Sequence, residues 1–169
     1  MKSRRKREVR FFVSYARANK DLAPRLLRRL RQQLDASERY KYTLWGDPQI
    51  IVGENWNTEI QKALEKCDLG LLLISPAFLG SEYIKKKELP RFMGRGAKPM
   101  VPVLLQPVVF GRQDLKGLRS AQIFRLEGDN FKEPKAYGDC SGKHRDQFAQ
   151  ELFRQIELKL DKVFRRKRK

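Results

Sequence analysis

A chain of 169 residues with 40% apolar and 34% charged side chains is long enough for one self-sufficient core, and its patterning argues against wholesale disorder. No apolar run nears the roughly 20 residues that span a bilayer, the basic start leads into a strand-like segment rather than a signal peptide, and two cysteines are too few for a disulfide framework. A cytoplasmic protein that does not enter membranes, with Cys67 and Cys140 as inert thiols, is therefore expected. Much of the net charge of +18 lies at the ends, with six basic residues against one acidic from Met1 to Arg10 and seven against one from Lys159 to Lys169. Residues 1–7 and 164–169 read as basic tails, or in the second case a linker, flanking one domain over 8–163. Solvated tails are the simple reading, and weak contact with nucleic acid or another polyanion is the alternative.

Glu8 to Tyr15 is rich in β-branched and aromatic residues and predicts a first strand. Leu22, Leu26, Leu30 and Leu34, flanked by Ala23 and Leu27, form the apolar stripe of an amphipathic helix whose arginines fall mostly on the other side. A second strand, about Lys41 to Trp45, enters a Gly/Pro-bounded loop over Gly46 to Glu54. Asn55 can then cap a helix carrying Trp56, Ile60, Leu64 and Cys67 on one face. Leu69 to Ile74 is continuously apolar, as a strand covered on both faces must be. Ser81 opens a helix toward Met93 that Pro90 should kink or end. Pro99 to Leu105 and Ala121 to Leu126 supply a fourth and a fifth strand, and Phe148, Leu152, Ile156 and Leu160 mark a last helix over about Arg145 to Val163. The aperiodic stretches Gln106 to Ser120 and Gly128 to Lys143 read as surface connections.

Alternating strands and helices predict a flavodoxin-like, doubly wound α/β domain, with a five-stranded parallel sheet in the order 2-1-3-4-5 and helices on both faces. Ligands in such sheets bind beyond the carboxyl ends of the strands where the winding reverses, here between the first and third strands. That brings Ser14 to Arg17 beside Ser75 to Phe78. Gly94-Arg95-Gly96 lacks the third glycine of a dinucleotide fingerprint, and no glycine-rich loop ends in Gly-Lys-Ser/Thr. His144 follows Cys140 by four positions without further Cys or His nearby, so neither a metal nor a Cys-His catalytic site is expected.

Phe12-Val-Ser-Tyr-Ala-Arg17 resembles the first sequence box of TIR (Toll/interleukin-1 receptor) domains, and Trp45-Gly-Asp-Pro-Gln-Ile-Ile-Val-Gly-Glu-Asn-Trp56 resembles that family's second strand, mobile BB loop and following helix. Ile60 to Leu64, Cys67-Asp68 and Leu72 to Ile84 resemble the stretch leading into its third helix, and Lys87-Glu88-Leu89 falls where NAD-cleaving, bacterial-type members keep a catalytic glutamate. The similarity covers about Arg10 to Leu105. It implies an NAD glycohydrolase activated by self-association with other TIR domains, a cytoplasmic cell-suicide effector in antiphage defence, joined to or working with a sensor domain. NAD is then substrate rather than cofactor, and ADP-ribose or a cyclised isomer leaves beside nicotinamide. Glu88 would contact the reacting ribose, while Ser14, Arg17, Trp45, Asp47, Ser75 and Ile84 would line the pocket, with Arg17 toward the pyrophosphate. Ile84 stands where enzymatic members often carry a stacking Trp, which leaves Trp45, Trp56 or a neighbouring protomer to supply the aromatic contact.

Read from the residues alone, Glu88 shares a helical stripe with Ile84 and Phe92 and should lie at the edge of an apolar surface. Its bland alternative is an ion pair with Lys85 or Arg91, worth roughly 0.3–0.5 kcal/mol. Ile50, Ile51 and Val52, three aliphatics in a polar loop, either fold back onto the core or form an exposed oligomerisation patch, the reading preferred here. The competing function is a non-catalytic adaptor that only joins TIR domains. A third is nucleic-acid binding through the basic ends.

Overall fold

The computed structural model describes residues 4–46, 56–128 and 130–167. Strands β1 (Arg7–Ser14), β2 (Tyr40–Trp45), β3 (Leu69–Ile74) and β4 (Met100–Leu104) form one parallel sheet in the order β2-β1-β3-β4. Helices α1 (Leu22–Asp35) and α4 (Lys143–Arg166) cover one face, while α2 (Trp56–Lys66), the short α3 (Pro76–Leu79) and the turns that follow cover the other.

The side-chain alternation of β1 divides the core in two. Val9, Phe11 and Val13 join Leu26, Leu30 and Leu34 of α1 and the Phe148, Leu152, Ile156, Leu160 stripe of α4. Phe12, on the opposite side of the strand, joins Ile60, Leu64, Phe78 and Ile84. Each buried Leu of the α1 stripe contributes about 1.5–3 kcal/mol of apolar transfer. Every residue of β3 is buried, as a central parallel strand requires. The stripe of α4 continues one step beyond Leu160, so Phe164, which the sequence assigns to a basic tail, packs into the core instead, and the helix ends at Arg166.

The expected fifth strand is reduced to a single parallel bridge between Val103 and Phe124. Leu104 N donates to Phe124 O and Phe124 N to Pro102 O, at 2.9 and 2.8 Å. Toward Gln122 the next ladder bond would need an N–H that Pro102 lacks. Toward Leu126, that residue's N–H goes to Lys135 O at 2.9 Å. The ladder thus stops on both sides of Phe124. The stretch Gly128 to Lys143 is also more than a surface connection, because Ala136, Tyr137 and Cys140 are buried and the Arg29 guanidinium donates to the Tyr137 hydroxyl at 3.0 Å. Single anchors of this kind leave no period in a sequence.

Two polar devices tie the layers together. The Lys98 ammonium donates to the carbonyls of Leu64 (2.7 Å), Glu65 and Cys67 (2.8 Å), satisfying the open carbonyls at the end of α2. On the other face, Tyr42 donates its hydroxyl to Glu157 at 2.5 Å and Tyr40 to Asp161 at 2.6 Å, while Ser37 donates to Glu157 at 2.9 Å. These bonds fasten β2, an edge strand, to α4. Burial first, then the hydrogen bond to the neighbouring carboxylate, pushes both tyrosines well above their ordinary pKa. Burial likewise pushes the thiols of Cys67 and Cys140 above their ordinary pKa.

Gly70, in the middle of β3, is a packing requirement. A Cβ there would lie 2.5 Å from the Phe92 ring, so only glycine lets the segment after α3 rest flat on the sheet. Gly70→Ala should therefore lower stability by about 1–3 kcal/mol, the usual cost of overpacking. Denaturant unfolding would read the loss, and adding Phe92→Leu should recover part of it. An alanine variant as stable as the parent would refute this packing account.

The tyrosine bonds predict a pH dependence. A folded-state pKa raised above the unfolded value near 10.0 gives stability that is complete below pH 10 and lost as pH rises above it. The stability advantage of the parent over Tyr42→Phe should accordingly shrink between about pH 10 and 12. Thermal melts of both proteins across that window check it, and a constant gap would show that the hydroxyl keeps no proton against solvent.

Candidate active site

Residues 75–93 carry the candidate carboxylate across the carboxyl end of β3. Ser75 caps α3, its Oγ accepting from Phe78 N at 3.0 Å, with Pro76 pre-set for the first turn. The next turn starts at Ser81, whose Oγ accepts from Ile84 N at 3.3 Å. The expected break at Pro90 appears as a change of pitch. Ile84–Glu88 is a π turn, closed by Leu89 N donating to Ile84 O, and Leu89–Arg91 tightens into a 3-10 turn. Pro90 cannot donate into an α ladder and its ring crowds the carbonyl four residues back, so the widened turn falls immediately before it.

The wide turn directs Glu88 inward. Its residue is 7% exposed, and Ser14 Oγ, from a residue 1% exposed at the end of β1, donates to Oε2 at 3.2 Å. Ser14 alternates with Val13 and therefore emerges on the same face as Phe12, toward this turn. A carboxylate removed from water needs donors, and a bond across 74 positions of sequence supplies one at the winding reversal between β1 and β3. Along the same turns, Ile84, Leu89 and Phe92 are each less than 5% exposed. Arg91, considered as an ion-pair partner, reaches Glu65 at 4.0 Å and Gln61 at 3.4 Å.

The other site residues fall into separate places. Ser75 is fully buried, and besides capping α3 its hydroxyl donates to Asn19 Oδ1 at 2.6 Å. Arg17 is exposed and opens the 3-10 turn Arg17–Asn19 directly after β1. Trp45, half-buried at the end of β2, stacks on Phe12 with ring centroids 5.3 Å apart and planes 17° from parallel. Ile84 lies in the apolar core, its side chain spent on packing. Asp47, Ile50, Ile51 and Val52 lie outside the described residues.

Sequence reasoning missed Asn19 and Gln106. Asn19 is 3% exposed, and its Nδ2 donates to Gln106 Oε1 at 2.8 Å while its Oδ1 accepts from Ser75. The pair pins the Arg17 turn to the loops after β3 and β4. The one available signal was position, since each polar residue follows a strand's carboxyl end. His144, without a metal role in prospect, packs edge-on against the Phe131 ring at 5.1 Å.

The chain matches the family model for the TIR domain over residues 11–138. Among solved structures it is similar to a chain in the crystal structure of the RPS4 and RRS1 TIR domain heterodimer, with a TM-score of 0.54, 16% identity, and coverage of 90% of this chain and 97% of that one. At that identity the likeness speaks to fold. A search of curated proteins returned no match. No helix among the described residues is long and apolar enough to cross a membrane. A four-stranded parallel sheet covered on both faces and a family match over most of its length place the chain in the TIR domain family.

Proposed function

We propose that this TIR domain cleaves the nicotinamide-ribose bond of NAD, with Glu88 as its catalytic carboxylate. The observation that supports the reading is the burial of Glu88 beside Ser14 at the winding reversal of the sheet. Departure of nicotinamide leaves positive charge on the ribose, through an oxocarbenium-like transition state of the kind met in glycoside cleavage. A preorganised carboxylate in an apolar setting stabilises such charge far better than one in water. Glu88 would accept a ribose hydroxyl and face the developing cation, Ser14 would hold the carboxylate in place, and Arg17 would meet the pyrophosphate. With Ile84 in the core, the half-buried Trp45 at the end of β2 is a candidate for the aromatic contact. Water attack then gives ADP-ribose, or internal attack a cyclised isomer. Depletion of NAD in the cytoplasm would suit a cell-suicide effector, triggered through a sensor domain.

Glu88→Gln keeps the size of the side chain and removes its charge. Turnover should fall about a hundred- to thousand-fold, or roughly 2.7–4 kcal/mol in the barrier, with the melting temperature nearly unchanged. Glu82, exposed and paired with Lys86 at 3.7 Å, is the control, and Glu82→Gln should keep most activity. Nicotinamide release from NAD by purified protein is the measurement. A parent that cleaves NAD and a Glu88→Gln variant that matches it would remove Glu88 from the reaction.

A site at the carboxyl ends of the strands can be completed by a neighbouring copy that excludes water from it. Specific activity should thus rise with protein concentration, and Ile51→Asp should flatten that rise without unfolding the domain. The adaptor reading draws on the similar structure being a TIR domain heterodimer. It predicts self-association with no nicotinamide release at any concentration, which the same titration would reveal.

A further inference from the structure

The two basic ends, separated by the whole domain in sequence, meet at one pole of the fold. β1 starts at Arg7, and its N–H donates to Arg39 O at 3.2 Å, which sets the strand's start beside the start of β2. The Arg7 guanidinium lies 3.5 Å over the Phe164 ring near the end of α4, and the Lys167 ammonium approaches the same ring at 5.9 Å. Tyr40 packs on that ring from the side, at 5.8 Å between centroids. A buried phenylalanine thus holds Arg7 and Lys167 together, with Arg4, Arg5 and Lys6 just before the one in sequence and Arg165 and Arg166 just before the other, all of them exposed.

The acidic groups near this pole are already engaged or few. Asp161 binds Arg39 at 2.7 Å and Tyr40 at 2.6 Å, and Glu157 holds Tyr42 and Ser37. Glu8 and Glu38 are the other carboxylates next to these strand starts in sequence. Among the described residues, the ion pairs include none of the seven cations. Five of the seven are arginines, whose planar forks suit phosphate oxygens. Large apolar side chains exposed among the described residues are Val109 and Leu158, neither in the cluster, so the pole offers no wedge for a lipid surface.

We propose that this pole, formed by residues 4–7 and 165–167 around Phe164, is a docking surface for the phosphate backbone of a nucleic-acid duplex. Recognition is electrostatic and indifferent to sequence, since arginines and lysines without amide side chains or a groove-sized helix read phosphates rather than bases. β1 advances about 3.3 Å per residue, so its eight residues hold the pole about 23 Å from Ser14 at the other end of the strand. The duplex and the candidate active site would not compete for space. The inference is independent of the NAD reading.

The test is binding of a fluorescent DNA duplex by the full chain, followed by anisotropy across a salt series. Three matched variants each remove three charges: Arg4→Gln with Arg5→Gln and Lys6→Gln; Arg165→Gln with Arg166→Gln and Lys167→Gln; and, as control, Arg25→Gln with Arg28→Gln and Arg31→Gln on the exposed side of α1. The first set precedes β1, outside any element, so its effect is not one of folding. Each phosphate contact contributes about 0.9 to the slope of log affinity against log salt. Either polar triple should lower the slope by about 2–3, and the control should leave it near the parental value. An equal loss in the control would make the binding a property of net charge and overturn the proposal. No duplex binding at low salt, or binding to phosphatidylserine vesicles without binding to duplex, would overturn it as well.

Discussion

A parallel strand in the middle of a sheet must be covered on both sides, and in this chain β3 sets that demand for the layers around it. Its six buried residues need α1 and α4 on one face and the segment from α2 to Phe92 on the other. Because the crossover from β3 to β4 returns over the carboxyl end of β3, the turns after α3 are laid directly across the end of β1. Gly70 sets how closely they lie, by giving up its side chain to the Phe92 ring. The Ser14–Glu88 bond follows from this cover. The carboxylate is held by the same layer that completes the core, so its position and the packing of β3 are not separable.

Much of the frame was legible because it is periodic. Leu26, Leu30 and Leu34, or Phe148 through Leu160, repeat as helices must, and Leu69 to Ile74 is apolar throughout as a central strand must be. What escaped had no period. The π turn at Ile84–Glu88 is a response to Pro90 in a packed setting, and an α stripe through Ile84, Glu88 and Phe92 predicts nearly the same burial without predicting the wider turn. The fifth strand had suitable residues but no partner N–H at Pro102, a deficit visible only once β4 and Phe124 are opposed. At the candidate site, the resemblance singled out Glu88, but nothing in the spacing between Ser14 and Glu88 announced their contact. Asn19 and Gln106 were silent for the same reason, since a polar residue in a loop is solvated by default until the fold buries it.

The site and the basic pole occupy opposite ends of β1, and they use charge in opposite ways. Glu88 is one carboxyl group kept from water and held by Ser14. The seven cations at the pole are exposed, where each is individually weak and screened by salt. The Phe164 ring joins these two regimes, because an apolar side chain that closes the core on its inner side carries Arg7 and Lys167 on its outer side.

Pro102 has one more effect. An open sheet presents its last strand to any other extended chain, and unpaired N–H groups are what such a chain would grip. At the centre of β4 that grip is missing, and the neighbouring positions are taken by the Phe124 bridge. The residue that prevents the sheet from growing a fifth strand out of its own sequence therefore also hinders another molecule's strand from adding at β4, so that of the two edges of the sheet this one is guarded by its own composition.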